Sequence, residues 1–500
     1  MQKRFLLGAL SLSAALTLTA CASNNEGMDS NRMHHEASME SGEDMNQGGM
    51  GDMMDHGNVP SLLSSEGTNE LPIPPLLEKQ QGQDYDYEVI AQEGITEFFK
   101  GISTETYGYN GDLLGPTLKI EEGKSVDVKI TNELDESTTF HWHGLEVASE
   151  IDGGPSDEIQ PGESRIVTLQ ADQPAATLWY HPHVHEMTAE QVYRGLSGML
   201  LIDSSNSEDS TIPNKYGVND IPLIFQDRLF DEDKQLDYDN LMDEDGTLGD
   251  ISMINGTLNS KLTITEPIMR FRLLNGSNAR NYTFSLSNGA SFTQIASDGS
   301  LLDEPVEVEE LILAASERAE ILIDFSKLTS EESLALVNDE GVELLPFDVE
   351  LDASTADSTE MWTTEEPFLS QEEKEMPVEK NIELFGMMDM VTINGKKFDP
   401  NRIDLRQKQG VTEVWEVYNK KDMMGGMIHP FHVHGTQFKV ISRDGKEVTP
   451  REQGLKDSVL VNPGEKVKLL VTFPEKGVYV FHCHILEHED GGMMGQIEVY

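Results

Sequence analysis

His482-Cys483-His484 closes an apolar run, Gly477-Val478-Tyr479-Val480-Phe481, near the end of a 500-residue chain with only two cysteines. The run is rich in β-branched and aromatic residues and is expected to form a strand. Side chains alternate faces along a strand. His482 and His484 therefore point one way and Cys483 the other, and one short stretch can serve two metal sites. His488 and Met493 follow, five and ten residues after the cysteine. A thiolate, imidazoles and a thioether are the ligand set of a blue copper electron-transfer site. A lone cysteine in a strand is more often a small buried hydrophobe. Here the flanking histidines, the later histidine and the methionine together argue for ligation.

The fourteen histidines are not spread evenly. Three lie before residue 60. The other eleven form four clusters: His141 and His143; His181, His183 and His185; His429, His432 and His434; His482, His484 and His488. Each cluster holds a His-x-His on an expected strand or strand end, and alternation aims both imidazoles of a pair to one side. Two pairs come from the first third of the chain and two from the last. If those regions pack together, eight imidazoles can surround a metal cluster between them. That leaves His429, Cys483, His488 and Met493 for a mononuclear site. His185 is a spare, supporting a ligand or exposed at the surface.

The elements that position these residues repeat. Phe140-His141-Trp142-His143-Gly144 matches Phe431-His432-Val433-His434-Gly435. Pro161-Gly162-Glu163 begins a strand before His181-Pro182-His183, and Pro463-Gly464-Glu465 does so before His482-Cys483-His484. The intervals from Gly to His are 19 and 18 residues. The first and last thirds are thus copies of one domain. Ser316 to Ile323 is a weaker third echo, in a region without histidine from His185 to His429. Short β-rich runs between Gly, Pro and Asn turns predict three β-sandwiches, at 71–205, 210–350 and 380–500. An acidic, Ser/Thr-rich connector spans about 351–380.

Upstream, Lys3 and Arg4 precede an apolar stretch, Phe5 to Leu18, too short for a comfortable membrane span. Residues 1–20 are expected to be a signal peptide, and Leu18-Thr19-Ala20-Cys21 resembles a bacterial lipoprotein signal. That resemblance implies cleavage before Cys21, a lipid on it, export, and tethering to the outer face of a cell membrane or within a periplasm. With Cys21 lipidated and Cys483 a ligand, no disulfide remains. Residues 21–70 have few large apolar groups and read as a disordered linker. It carries Met28, Met33, Met39, Met45, Met50, Met53 and Met54, with His34, His35 and His56. Thioethers suit Cu(I), so the tail is either a copper collector or a plain tether. The 90 acidic against 36 basic residues argue against nucleic-acid partners.

The four histidine motifs, taken together, resemble those of the multicopper oxidases, the family of laccases and bacterial cuprous oxidases, over residues 80–500. The resemblance implies an all-β fold of three cupredoxin-like Greek-key domains, here a monomer, and four coppers. It implies a type 1 copper on His429, Cys483, His488 and Met493. It places a type 2 copper on His141 and His432, and a type 3 pair on His143, His181, His183, His434, His482 and His484. Met493 in the axial position implies a low to moderate potential. Four one-electron oxidations at the type 1 copper would match the reduction of dioxygen to water. Asp152 and Glu489 match carboxylates that deliver protons.

The substrate is less marked. Met423, Met424 and Met427 precede His429, and Met387, Met388, Asp389 and Met390 form a second soft cluster. In cuprous oxidases Met and Asp near the type 1 copper bind Cu(I), and Met427 matches one such Met. The matching Asp is Gly425 here, and that subgroup's long Met-rich helix is absent. Met427, Asp389 and Met387 are the expected substrate ligands for Cu(I) oxidation in copper detoxification. A laccase oxidising phenols is the rival within the class. A copper-sequestering lipoprotein, working through its tail, is the rival outside it.

Overall fold

In a computed structural model of the chain, the described residues are 61–204, 211–238, 246–328, 334–351, 362, 367–387, 390–423 and 425–500. The expected signal peptide, Cys21 and the tail to residue 60 lie outside them. Among the described residues six sheets form three pairs, each closing on its own apolar core. No helix of the described residues is long and apolar enough to cross a membrane.

The repeat expected from the motifs appears in the strand pairing. In the first sandwich Tyr87–Phe99 runs parallel to Ser125–Asn132, which pairs antiparallel with Ser164–Gln170. In the last, Val378–Phe385 runs parallel to Glu413–Lys420, which pairs antiparallel with Lys466–Val471. The middle sandwich repeats it with Asp220–Arg228, Ile268–Asn275 and Arg318–Asp324. The Ser316 echo therefore occupies the position of the Pro-Gly-Glu strands. Alternation drives each core: Val126, Val128 and Ile130 face inward in the first sandwich, and Val467, Leu469 and Val471 in the last.

Two expectations need correction. Residues 368–378, read as the end of a connector, pack on the last sandwich: Leu369 clusters with Val414, Ile441 and Leu470, and Val378 begins a strand of that sandwich. Residues 61–70, read as the end of a disordered linker, belong to the middle sandwich. Asn69–Glu70 extends its six-stranded sheet, parallel to Ser260–Ile264, and Leu63 N–H donates to the Asp250 carbonyl at 2.8 Å. Leu62 and Leu71 are buried in that domain's core. Average polarity hides this: two leucines among polar neighbours suffice to cover an open sheet edge.

Candidate metal centre

The strands His429–Val433 and Gly477–Cys483 pair antiparallel, with His432 opposite His482 and Phe431 opposite Cys483. Alternation then divides their side chains. His432, His434 and His482 face the first sandwich. Phe431 and Cys483 turn into the last sandwich's core, beside Met427 and Met493. The helix Leu486–Asp490 makes the same division by rotation. Successive residues differ by about 100° around a helix, so His488 faces Cys483 while Glu489 faces His183 and His482.

The ring nitrogens gather in groups whose atoms all lie within 4.8 Å: His183, His434 and His482; His143, His181 and His484; His141, His143 and His432; His141 and His434 with the Asp152 carboxylate. A further group is His429, Cys483 and His488. Every one of these residues is buried. Cys483 Sγ is 3.4 Å from His429 Nδ1 and 3.8 Å from His488 Nδ1. The Cys483 N–H donates to the Met493 carbonyl at 3.1 Å, and Met493 is fully buried. His185 joins no group: it is half-buried, with its ring against Phe398 and Nδ1 near Glu186.

The donor set fits a metal, and the tautomers show why. A backbone carbonyl only accepts, so a ring nitrogen bonded to one carries the proton. Nδ1 of His141 donates to the Asp152 carbonyl at 3.0 Å, and Nδ1 of His432 to the Asp457 carbonyl at 2.8 Å. His181 Nδ1 meets the Pro182 carbonyl at 2.7 Å, and His482 Nδ1 the Cys483 carbonyl at 3.0 Å. Each Nε2 is thus a bare lone pair. His482 Nε2 lies 3.1 Å from Nε2 of both His183 and His434, and Nε2 of His141 and His432 has no partner. Buried lone pairs that converge in this way need a cation between them. Burial and neighbouring imidazoles hold His141, His181, His432 and His434 well below the ordinary histidine range, and His183 down to about 4. They are neutral, as ligands must be. Burial also pushes the Cys483 thiol up, so its thiolate needs a metal beside it.

Carboxylates clamp the histidines from outside. Asp152 ends the short helix Ser149–Asp152, which closes at Gly153 with φ 81°; a Cβ there would strike the Phe140 carbonyl. Its Oδ2 is 2.7 Å from His434 Nδ1, while its own carbonyl holds His141. Glu489 Oε1 and Oε2 lie 3.3 and 3.1 Å from Nδ1 of His183 and His482. Burial raises Asp152 well above the carboxylate range. For Glu489 burial acts the same way, but His183 and His482 outweigh it and hold the carboxyl well below that range.

On the other side of Cys483, Met427 is 8 % exposed and lies in the domain core, with Met387 half-buried against it. Met423 is fully exposed and Met390 largely so. Asp389, Met388 and Met424 lie outside the described residues. Sequence reasoning missed Asp457, which accepts from His143 Nε2 at 2.9 Å. An acid before an apolar strand carries no signal that separates it from a surface carboxylate. Trp179 stacks on His181, ring centroids 4.1 Å apart, and was also missed.

The family description "Multicopper oxidase" matches residues 81–207 and 371–500. The chain is similar to the multicopper oxidase mco of Staphylococcus haemolyticus, with 49 % identity over 90 % of this chain and 97 % of the relative. It is also similar to the cell division protein FtsP of Escherichia coli, with 33 % identity over 89 % and 95 %. Its fold matches the crystal structure of a laccase from Pediococcus acidilactici with TM-score 0.82 and 43 % identity, covering 89 % of this chain and 96 % of that one.

Proposed function

This chain belongs to the multicopper oxidase family, cupredoxin-like oxidoreductases that use copper and dioxygen, and from that premise we propose how its residues divide the work and which substrate they serve. His429, Cys483, His488 and Met493 would hold the type 1 copper, and His141 and His432 the type 2. His143, His181, His183, His434, His482 and His484 would hold the type 3 pair. When bound, the four coppers supply one-electron oxidation of substrate and four-electron reduction of dioxygen to water. The protein supplies the covalent link, since Cys483 is bonded in the chain to His482 and His484. It would also place two buried carboxyls as proton carriers beside the cluster, Asp152 2.7 Å from His434 Nδ1 and Glu489 3.3 and 3.1 Å from Nδ1 of His183 and His482. Burial of every histidine in the cluster excludes bulk water.

The proposed substrate is Cu(I), oxidised in copper detoxification. The observation that carries this reading is the methionine cluster before His429. Met423 is fully exposed and Met390 largely so, while Met427 lies in the core that contains Cys483 and Met387 packs against that core. Thioethers at the surface give a soft cation a docking point on the side where electrons would enter. The similarity to a laccase favours a second reading, oxidation of phenols. The buried ligand groups support catalysis over storage or a cell-division role.

The test compares oxygen uptake by copper-loaded protein with Cu(I) and with a phenol, with and without residues 22–60. Higher catalytic efficiency for Cu(I) is expected. Rapid phenol turnover beside negligible Cu(I) turnover would defeat the reading. Anchoring through Cys21 is proposed too; Cys21→Ser is expected to move the protein from the membrane to the soluble fraction, and an unchanged distribution would refute it.

A further inference from the structure

The middle sandwich has no histidine, yet one of its side chains reaches the carboxylate that contacts the histidine cluster. Arg318 begins the strand Arg318–Asp324 and is fully buried where the three sandwiches meet. Its Nε donates to the Thr177 carbonyl at 3.0 Å, in the first sandwich. Nη1 and Nη2 also reach the Ser316 and Asp298 carbonyls of its own domain. The two then fork onto Asp457 of the last sandwich, Nη1 to Oδ1 at 2.7 Å and Nη2 to Oδ2 at 2.5 Å. All five guanidinium protons are thereby used, a geometry that lysine cannot reproduce.

Asp457 is the hub of this junction. Besides Arg318, its Oδ2 accepts from Gln437 Nε2 at 2.6 Å, and its carbonyl holds His432. With donors on both oxygens, it is left to accept from His143 Nε2 at 2.9 Å. His143 Nδ1 is then unprotonated and faces the bare His181 Nε2 at 3.3 Å. His143 differs here from His141, His181, His432 and His482, whose Nδ1 is the protonated atom. The opposite tautomer has a ready partner: a proton on His143 Nδ1 would bond to His181 Nε2 and close the pocket to a cation. Asp457 opposes it, because Nε2 would then set a lone pair against a carboxylate oxygen. Gly144 leaves room for the contact; a Cβ there would lie 2.4 Å from Asp457 Oδ2.

We propose that Arg318, on the sandwich without histidines, is a positioning residue of the metal cluster, acting through Asp457 to fix the His143 tautomer that offers Nδ1 to the metal. The inference rests on the ligand assignment proposed above. It gives the middle domain a part in building the site as well as in packing beside it.

The experiment uses full-length, copper-loaded protein and reads copper per chain, blue absorption, and the fraction of copper silent in electron paramagnetic resonance. Asp457→Asn can donate to His143 Nε2 and so favours the wrong tautomer. It is expected to weaken copper binding at the histidine cluster by about 10–100-fold, with loss of silent copper and retention of blue absorption. Arg318→Gln should act in the same direction, and the two together should be less than additive. Should Arg318→Gln fail to fold, Arg318→Lys, which keeps the charge and loses the fork, carries the comparison. Arg280→Lys, which weakens a buried pair with Asp227 of the same domain, should lower thermal stability alone. Wild-type copper content and silent fraction in the Asp457 and Arg318 variants would overturn the proposal. Absence of blue absorption in the wild-type protein would instead overturn the ligand assignment beneath it.

Discussion

His482 and Cys483 are consecutive residues whose side chains join separate groups of ligand atoms: His482 Nε2 lies 3.1 Å from His183 Nε2, and Cys483 Sγ lies 3.4 Å from His429 Nδ1. The peptide between them is the shortest covalent path from one proposed copper site to the other. Replacing Cys483 by Ser removes the thiolate and leaves the eight imidazoles of the cluster in place. The expected outcome is loss of blue absorption and of turnover with copper still bound at the cluster. Absorption spectra, oxygen uptake and copper analysis check it, and retained turnover would contradict the site assignment.

Asp152→Asn and Glu489→Gln keep the shape of each side chain and remove its proton chemistry. Each is expected to slow oxygen reduction by about 10²–10⁴-fold, the range for a positioned proton donor. Blue absorption should persist, because neither carboxylate belongs to the Cys483 group. A variant that turns over at the wild-type rate would assign that carboxylate to holding histidines alone.

Glu146 sits at the contact of the first and last sandwiches, accepting from the Gln437 N–H at 3.0 Å. Burial pushes its carboxyl up to about 7 from an ordinary 4.5, against the opposing effect of that N–H. The folded state therefore holds this proton more tightly than the unfolded chain. The contribution is fully present below pH 4.5, falls as pH rises toward 7, and is flat above. The shift corresponds to roughly 3 kcal/mol. Glu146→Gln should remove this decline, so its thermal midpoint should exceed the wild-type value at pH 8 and approach it at pH 4.5.

The segment before the first sandwich is structural. A chain starting at residue 61 is expected to unfold at the wild-type temperature. One starting at residue 72 loses the buried Leu62 and Leu71 and the Asn69–Glu70 pairing. Losing such a leucine typically costs about 2–5 kcal/mol, and calorimetry should show a midpoint lowered by several degrees. An unchanged midpoint would refute the role of this segment.

Met423 and Met427 separate docking from packing. Met423→Ser alters a fully exposed thioether and is expected to raise KM for Cu(I) several-fold with KM for a phenol unchanged. Met427→Ala leaves a core cavity and should cost about 2–5 kcal/mol in stability, so its kinetic effect is not specific to substrate. Equal changes for both substrates in Met423→Ser would count against Cu(I) as the substrate.

Much of this was legible in the chain. The strand Gly477–Cys483, the face-sharing of His482 with His484, and the matching of Phe431-His432-Val433-His434-Gly435 to its first-domain copy follow from a period of two and a repeat. Both are local properties. The strap at residues 61–71 was not legible, because two leucines do not shift the composition of a polar stretch and the edge they cover belongs to strands about 200 residues later.

What the sequence by itself determined was the kind of ligand and the side to which each points, because alternation along a strand needs no partner. What only the tertiary structure decided was which histidines share a group and which nitrogen each presents. His143 gathers with His181 and His484, and His183 with His434 and His482, through contacts between chain segments about 300 residues apart. Nδ1 or Nε2 is selected by whichever carbonyl or carboxylate lies within about 3 Å of the other nitrogen. For His143 that group is Asp457, held by Arg318, and no spacing rule joins those three positions.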